Sequence, residues 1–368
     1  MLSSADGSGR ARLADVARQA GVSEATVSRV LNNRPGVSAN ARQVVLTALD
    51  VLGFERPERL RKRSAGLVGL VIPELDNPVF PTFAQMIETA LSQHGFTPVL
   101  CTQMPGGTTE DEYVEMLLGQ QVSGIIFVSS RNSDSTADPE RYRRLVARRL
   151  PIVGINGYIP GVQAPFVSCD DRIAGEYAVR HLAALGHRRI GFISGPRRFI
   201  PVQRRLAGFE ETMRELFDCG DEELTELTTL SPFGVEGGHV AADRLLDRGA
   251  TALVCGSDLM ALGAIRAARA RGRRVPTDVS VIGHDDSPLM PFTDPPLTTL
   301  RQPVRAMSAA AVSALVDEIG GHPSPHSEYL FRPELVVRSS TGPCPTWIAS
   351  DPTTPADPTI PGGSCGQW

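Results

Sequence analysis

From about residue 67 to residue 342, short apolar runs alternate with amphipathic stretches, and few patterns limit a fold so tightly. The runs Leu67–Ile72, Thr97–Thr102, Gly124–Val128, Ile152–Ile155, Ile190–Ile193, Ala252–Cys255 and Val279–Gly283 read as buried strands. Between them Phe83–Gln93, Ile173–Leu185, Gly208–Leu216, Gly238–Asp247 and Leu259–Arg271 carry helical apolar stripes. Such alternation builds parallel βαβ units, because each strand must cross over through a helix to reach its parallel neighbour. The pattern covers about 270 residues, more than one sheet usually holds, so the natural division is two doubly wound α/β lobes.

The formal charge of the 368-residue chain is −4, but it is unevenly placed. Residues 1–66 hold 11 Lys and Arg against 6 Asp and Glu, while the remainder holds 26 against 35. A small basic head on an acidic body is what a nucleic-acid module fused to a second function shows. With no apolar run near the roughly 20 residues that span a bilayer and no secretory stretch at the start, a cytoplasmic, nucleoid-associated protein without membrane contact is expected. The six cysteines at 101, 169, 219, 255, 344 and 365 are far apart and form no C-x-x-C pair, so free thiols are expected, with neither metal nor cofactor.

The head, residues 12–56, reads as three short helices. Leu13, Val16, Ala17 and Ala20 keep helical spacing up to Gly21, which can take the left-handed conformation that ends a helix. Ser23 then offers an N-cap to a second helix whose core face is Val27, Val30 and Leu31. A third follows with Ser38 as N-cap and Val44, Val45, Ala48, Leu49 and Leu52 as its stripe. Helix, tight turn and helix within about 20 residues make a helix-turn-helix pattern, whose second helix enters the major groove. Glu24, Ala25, Ser28 and Arg29 are its candidate base readers: the carboxylate for a cytosine amino group, the methyl for thymine, the guanidinium for guanine or phosphate. Ser23, Thr26, Asn32 and Ser38 suit phosphate contacts or caps. Residues 57–66 form a basic hinge, and the Pro- and Gly-rich residues 343–368 read as a disordered tail.

In open α/β sheets ligands bind beyond the carboxyl ends of the strands. There the sequence places E-L-D-N after the first strand, S-S after the third, N after the fourth, S-D after Ala252–Cys255 and H-D-D at the last. Asp76, Asn156, Asp258 and Asp285 thus supply acceptors suited to sugar hydroxyls, although Asn77 and Ser257 are equally good helix caps. His284 is expected to be satisfied by hydrogen bonds rather than to ligate a metal.

The run L-A-D-V-A-R-Q-A-G-V-S-E-A-T-V-S-R-V-L-N-N, with G-V-S-A and L-D-V-L-G-F, resembles the DNA-binding head of the lactose-repressor/galactose-repressor (LacI/GalR) family. Downstream, N-P-V-F-P-T-F, V-S-G-I-I, V-S-C-D-D-R-I-A-G, H-L-A-A-L-G-H-R-R-I-G-F-I-S-G-P, R-R-L-A-G-F, S-D-L-M-A-L-G-A, V-P-T-D-V-S-V-I-G-H-D-D and P-P-L-T-T-L-R-Q-P keep that family's order over residues 12–342. Among its members the chain looks most like the maltose-type regulators of actinomycetes. The resemblance implies a periplasmic-binding-protein-like core over residues 67–342. Its first lobe would take about 67–167 and 302–328, its second about 168–301 and 329–342. It implies Glu24 and Ala25 as main base readers, Leu60 as a hinge wedge in the minor groove, and Asp76, Phe80, Asn156, Arg205, Phe233, Asp258 and Asp285 as the effector cleft. Departures are His284 for the usual aromatic, Asp171 for the usual Asn, and a hinge lacking P-N-x-x-A-R-x-L.

The function implied is a homodimeric repressor of carbohydrate-utilisation genes, bound to a pseudo-palindromic double-stranded operator and modulated by a small carbohydrate effector, maltose or a related oligosaccharide. An alternative is a cytoplasmic sensor of a sugar or nucleoside acting as activator or co-repressed regulator. A transport component sharing the two-lobed fold is disfavoured by the basic head. An enzyme is disfavoured because His284, Asp285 and Asp286 come without nucleophile motif, metal spacing or G-x-G-x-x-G.

Overall fold

The computed structural model describes residues 13–32, 34–52, 65–103 and 106–345. The expected wedge Leu60, hinge residues 57–64 and tail residues 346–368 lie outside the described residues.

The head consists of α1 (Leu13–Ala20), α2 (Glu24–Leu31) and α3 (Ala39–Val51). Gly21 adopts φ +62°, which lets the chain turn sharply into Ser23. The Ser23 hydroxyl accepts from the Thr26 amide at 3.2 Å, and Ser38 accepts from Ala41 at 3.2 Å, so both expected N-caps form. Val16, Ala17 and Ala20 of α1, Val27 and Val30 of α2, and Val45, Ala48 and Leu49 of α3 make one core. Leu13, Val44 and Leu52, expected on the apolar stripes, are exposed instead. Three helices this short enclose little more than a single layer of side chains, and end residues fall at its rim.

The core's first sheet runs in the order β11-β5-β4-β3-β1-β2, with β1 (Gly66–Ile72), β2 (Phe96–Thr102), β3 (Gly124–Val128), β4 (Ile152–Ile155), β5 (Phe166–Cys169) and β11 (Glu328–Phe331). The second runs β12-β10-β9-β8-β6-β7, with β6 (Ile190–Ser194), β7 (Thr228–Leu230), β8 (Ala252–Cys255), β9 (Ser280–Asp285), β10 (Thr298–Arg301) and β12 (Glu334–Val336). Pairings β1 to β3, β3 to β4, β4 to β5 and β5 to β11 are parallel, as are β6 to β7, β6 to β8, β8 to β9 and β9 to β10. The edge strand β12 alone among these runs antiparallel, to β10. The central strands are apolar along their whole length because helices cover both faces.

Helices α4 (Val79–Gln93), α5 (Glu110–Gly119), α6 (Glu140–Ala147) and α12 (Val304–Ile319) accompany the first sheet. Helices α7 (Asp171–Ala184), α8 (Ile200–Phe217), α9 (Asp221–Glu226), α10 (Val235–Asp247) and α11 (Asp258–Ala270) accompany the second. The chain passes between lobes after Cys169, Arg301 and Phe331. The first lobe therefore extends past the expected edges at 167 and 328, because β5 and β11 pair with each other at its border. Strands β5, β7, β10, β11 and β12 went unread in the sequence: each has only three or four residues, and T-T-L-R or E-Y-L-F carries no apolar run. Among the described residues no helix is long and apolar enough to cross a membrane.

Candidate functional site

Both sheets reverse their winding direction once, between β1 and β3 and between β6 and β8, and a doubly wound sheet holds its ligand at the carboxyl side of that point. A cavity of about 480 Å³ lies there, lined from both lobes by residues that follow strand ends. The first lobe contributes Glu74, Asn77, Phe80, Ser129, Ser133 and Asn156; the second contributes Asp171, Arg205, Phe233, Ser257 and Asp285. Gln302, on the second passage between lobes, lines it too.

An amide and carboxylate chain ties the lobes together at its floor. Asn77 Nδ2 donates to Asp285 Oδ2 at 3.3 Å, Gln302 Nε2 donates to Asp285 Oδ1 at 2.7 Å, and Asn156 Nδ2 donates to Gln302 Oε1 at 3.1 Å. Asp285 and Asn156 both hold positive φ, +113° and +56°, a strained backbone that neighbours must enforce. Burial pushes the Asp285 carboxyl up from its ordinary value, and the Arg205 guanidinium opposes the rise.

Arg205 reaches the cavity from α8. Its Nε donates to Asp171 Oδ1 at 3.1 Å, its Nη2 donates to the same oxygen, and its Nη1 donates to the Gly256 carbonyl at 2.7 Å. The pair is buried. It depends on close approach of α7 and α8: a Cβ on Gly208 would run into the Arg172 carbonyl, and one on Gly175 into the Arg205 carbonyl. Phe233 and Phe199 face each other with ring centroids 6.1 Å apart, and a Cβ on Gly195 would collide with the Phe233 ring.

Five of the seven expected cleft residues, Phe80, Asn156, Arg205, Phe233 and Asp285, line the cavity. Asp76 does not: it is exposed, and the next residue, Asn77, turns inward. Nor does Asp258, which is fully buried at the start of α11. Its carboxylate accepts from Thr299 Oγ1 at 2.6 Å and from the Ser287 amide at 2.7 Å, so it holds the β9 and β10 ends in place. Burial first, then repulsion from Asp285, pushes its pKa upward. Ser257 caps α11 through the Met260 amide at 3.2 Å and still faces the cavity.

His284 corrects another expectation. It is buried with both ring nitrogens lacking a hydrogen-bond partner, 3.8 Å from Asp171 Oδ1 and 3.9 Å from Asp285 Oδ1. Those oxygens are already taken by Arg205 and Gln302. Burial holds the imidazole pKa well below its ordinary value, so the ring is neutral. Gln302 was missed because β10 was not read as a strand; once it is, Gln302 stands just past a strand end, where the rule looks.

In the head, Glu24, Ala25 and Arg29 are exposed on α2, Ser28 and Thr26 half-buried. Thr26 Oγ1 lies 2.9 Å from Ser23 Oγ, and Asn32 Nδ2 donates to the Ser28 carbonyl at 2.8 Å, closing the two ends of the helix. That leaves Glu24 and Ala25 at the N-terminal end of the helix, where base edges are met in a helix-turn-helix.

Residues 12–56 match the model for bacterial regulatory proteins of the lacI family, and residues 179–341 match that for a periplasmic binding protein-like domain. The HTH-type transcriptional regulator MalR of Streptomyces coelicolor is 60% identical over 335 residues, covering 91% of this chain and 97% of the relative. The chain belongs to the LacI family. It is a helix-turn-helix transcriptional regulator similar to MalR. Two solved LacI-family structures extend the likeness. The regulator CelR in complex with cellobiose is 33% identical at TM-score 0.67 over 90% of this chain and 100% of its own. The lac repressor dimer bound to operator and an anti-inducer is 26% identical at TM-score 0.64 over 90% and 99%.

Proposed function

We propose that this regulator is a repressor of carbohydrate-utilisation genes whose operator affinity is set by a small sugar, maltose or a related oligosaccharide, held between the lobes. It acts as a cytoplasmic homodimer whose two heads read the halves of a pseudo-palindrome, as the operator-bound dimer of the lac repressor suggests. Glu24, Ala25, Ser28 and Arg29 meet the groove, while Ser23, Thr26, Asn32 and Ser38 orient the helices and the backbone contacts. It carries out no catalysis.

The single observation behind the sugar is the lining of the cavity. Phe80 and Phe233 offer apolar faces, and Asn77, Asn156, Ser257 and Asp285 offer short-range donors and acceptors. The Arg205 charge is balanced by Asp171, so the site suits a neutral polyol better than an anion. Cellobiose in CelR is such a molecule. Because Asn156, Gln302 and Asp285 belong to different sides of the cleft, a ligand that bonds them prefers the closed lobes, and about 1–3 kcal/mol of such preference is a typical coupling.

A fluorescence-anisotropy titration against the chain's own upstream DNA at fixed salt, with and without maltose, tests this. Release by maltose is expected. Tight binding indifferent to any saccharide would overturn the effector reading, and absence of specific binding the operator reading.

A further inference from the structure

A second cavity of about 480 Å³ also lies between the lobes. The first lobe gives it Arg131, Asn132, Asp134, Ser135 and Tyr158; the second gives Ile200, Gln203 and Arg204 of α8. The two cavities share flanking segments: Ser133 and Phe199 face the cleft, while their neighbours Asp134 and Ile200 face the second space.

What separates them is a clasp across the lobes. An antiparallel backbone bridge pairs Asp134 with Phe199, and the Ser135 amide and hydroxyl both donate to the Arg198 carbonyl at 2.8 Å. Arg198 Nε lies 3.2 Å from Asp134 Oδ2, and Gln203 Nε2 donates to Ser135 Oγ at 2.9 Å. The first-lobe side of the clasp is anchored from within. Buried Glu110 accepts from Ser130 Oγ, from the Arg131 amide at 3.1 Å and from the Tyr142 hydroxyl at 2.8 Å. The segment carrying Arg131 and Asn132 is therefore a rigid wall.

We propose that the second cavity is an oligosaccharide subsite in series with the cleft, so that a saccharide longer than two units spans both by crossing the clasp; this rests on the sugar reading above. The chemistry of the wall selects a neutral sugar unit. Arg204 is spent in a bidentate pair with Glu328 at 2.6 and 2.8 Å, and Asp134 is spent on Arg198. Arg131 is half exposed and no closer than 4.0 Å to Asp111, a loosely held donor for ring hydroxyls rather than a dense cation site for a phosphate. Tyr158, half-buried and in a T-shaped contact with Phe166 at 5.3 Å between centroids, supplies the aromatic ring on which a pyranose packs. The Asp134–Arg198 pair, with Arg198 half exposed and Asp134 half-buried, is weak, so its side-chain bond exchanges for ligand hydroxyls while the backbone bridge holds.

Isothermal titration of the full chain with maltose and maltotetraose, and in parallel with cellobiose and cellotetraose, is the test. In the wild type the tetrasaccharide of the recognised series binds about tenfold tighter than its disaccharide. Tyr158→Leu and Arg131→Gln each bring that ratio to within about twofold and leave disaccharide affinity unchanged. Arg131→Gln keeps the test open should Tyr158→Leu fail to fold, since Arg131 is a surface side chain. Equal affinity for both lengths in the wild type, or a ratio that survives both substitutions, overturns the subsite while the sugar-binding cleft stands. Failure of every saccharide to bind overturns the cleft reading itself, and the subsite with it.

Discussion

Arg205→Met tests the cleft most severely, because Arg205 and Asp171 are both buried and committed to each other. Removing the guanidinium leaves a carboxylate without its countercharge in the second lobe. Breaking a buried pair in this way costs about 3–5 kcal/mol, a large part of a domain's total stability. Methionine nearly conserves the volume, so the loss is electrostatic rather than a cavity. Asp171→Leu strands the cation instead and costs a similar amount. The double variant removes both charges, and its cost is expected to stay below that of either single change.

The pH dependence separates this account from simple misfolding. Burial already pushes the Asp171 pKa above its ordinary 3.8, and Arg205 holds it back. Without Arg205 it climbs further. A carboxyl raised in the folded state penalises folding at every pH above its unfolded value, fully once the pH passes the folded one. The Arg205→Met deficit is therefore greatest at neutral pH and shrinks as pH falls toward about 4. Urea unfolding followed by far-ultraviolet circular dichroism measures it, since the two tryptophans, Trp347 and Trp368, lie outside the described residues. Additive single-variant costs, or a deficit indifferent to pH, would refute the reasoning. At temperatures where Arg205→Met is folded, it binds operator but no longer responds to sugar.

Three further outcomes are expected. Gly208→Ala drives α7 from α8 at the Arg172 carbonyl, costing about 1–3 kcal/mol in urea unfolding and weakening sugar binding as Arg205 shifts; unchanged affinity would show that the helix spacing does not set the site. His284→Phe removes two unpaired buried nitrogens and stabilises the chain by about 1 kcal/mol, whereas a loss would mean that the ring has partners after all. Glu24→Gln alters preference at one operator base pair by about 1–3 kcal/mol without changing the salt slope, and a uniform loss across sequences would reassign Glu24 to the backbone.

The parts legible in the sequence are those in which one physical signal dominates. Fully apolar runs such as G-I-I-F-V revealed the central strands, and Gly21 closing one helix two residues before the cap Ser23 revealed where α2 begins. The strand-end rule then led to Asn156 and Asp285 with no knowledge of packing. It erred at Asp76 and Asp258 because position relative to a strand end does not say which way a side chain turns. Asp76 is displaced by its neighbour Asn77, whose amide can both cap the Val79 amide at 3.3 Å and donate to Asp285. Asp258 is drawn beneath the site by donors on β10 and the loop after β9, contacts set by three-dimensional register alone. His284 misled for the same reason: its potential partners exist, but other donors reach them first.

Under the proposed function, Gln302 is placed to convert binding into a signal. It sits on a passage between lobes, accepts from Asn156 of the first and donates to Asp285 of the second. A ligand hydroxyl that bonds either partner competes with, or joins, the same bonds that tie the two lobes together. In that reading affinity and closure are not separate steps linked by a distant relay. In the proposed sugar reading the amides that meet the ligand are the amides that hold the lobes, so a substitution such as Gln302→Leu should change sugar affinity and the ligand's effect on operator binding together. A variant that lost the sugar's effect on DNA while keeping full sugar affinity would place the coupling elsewhere in the chain.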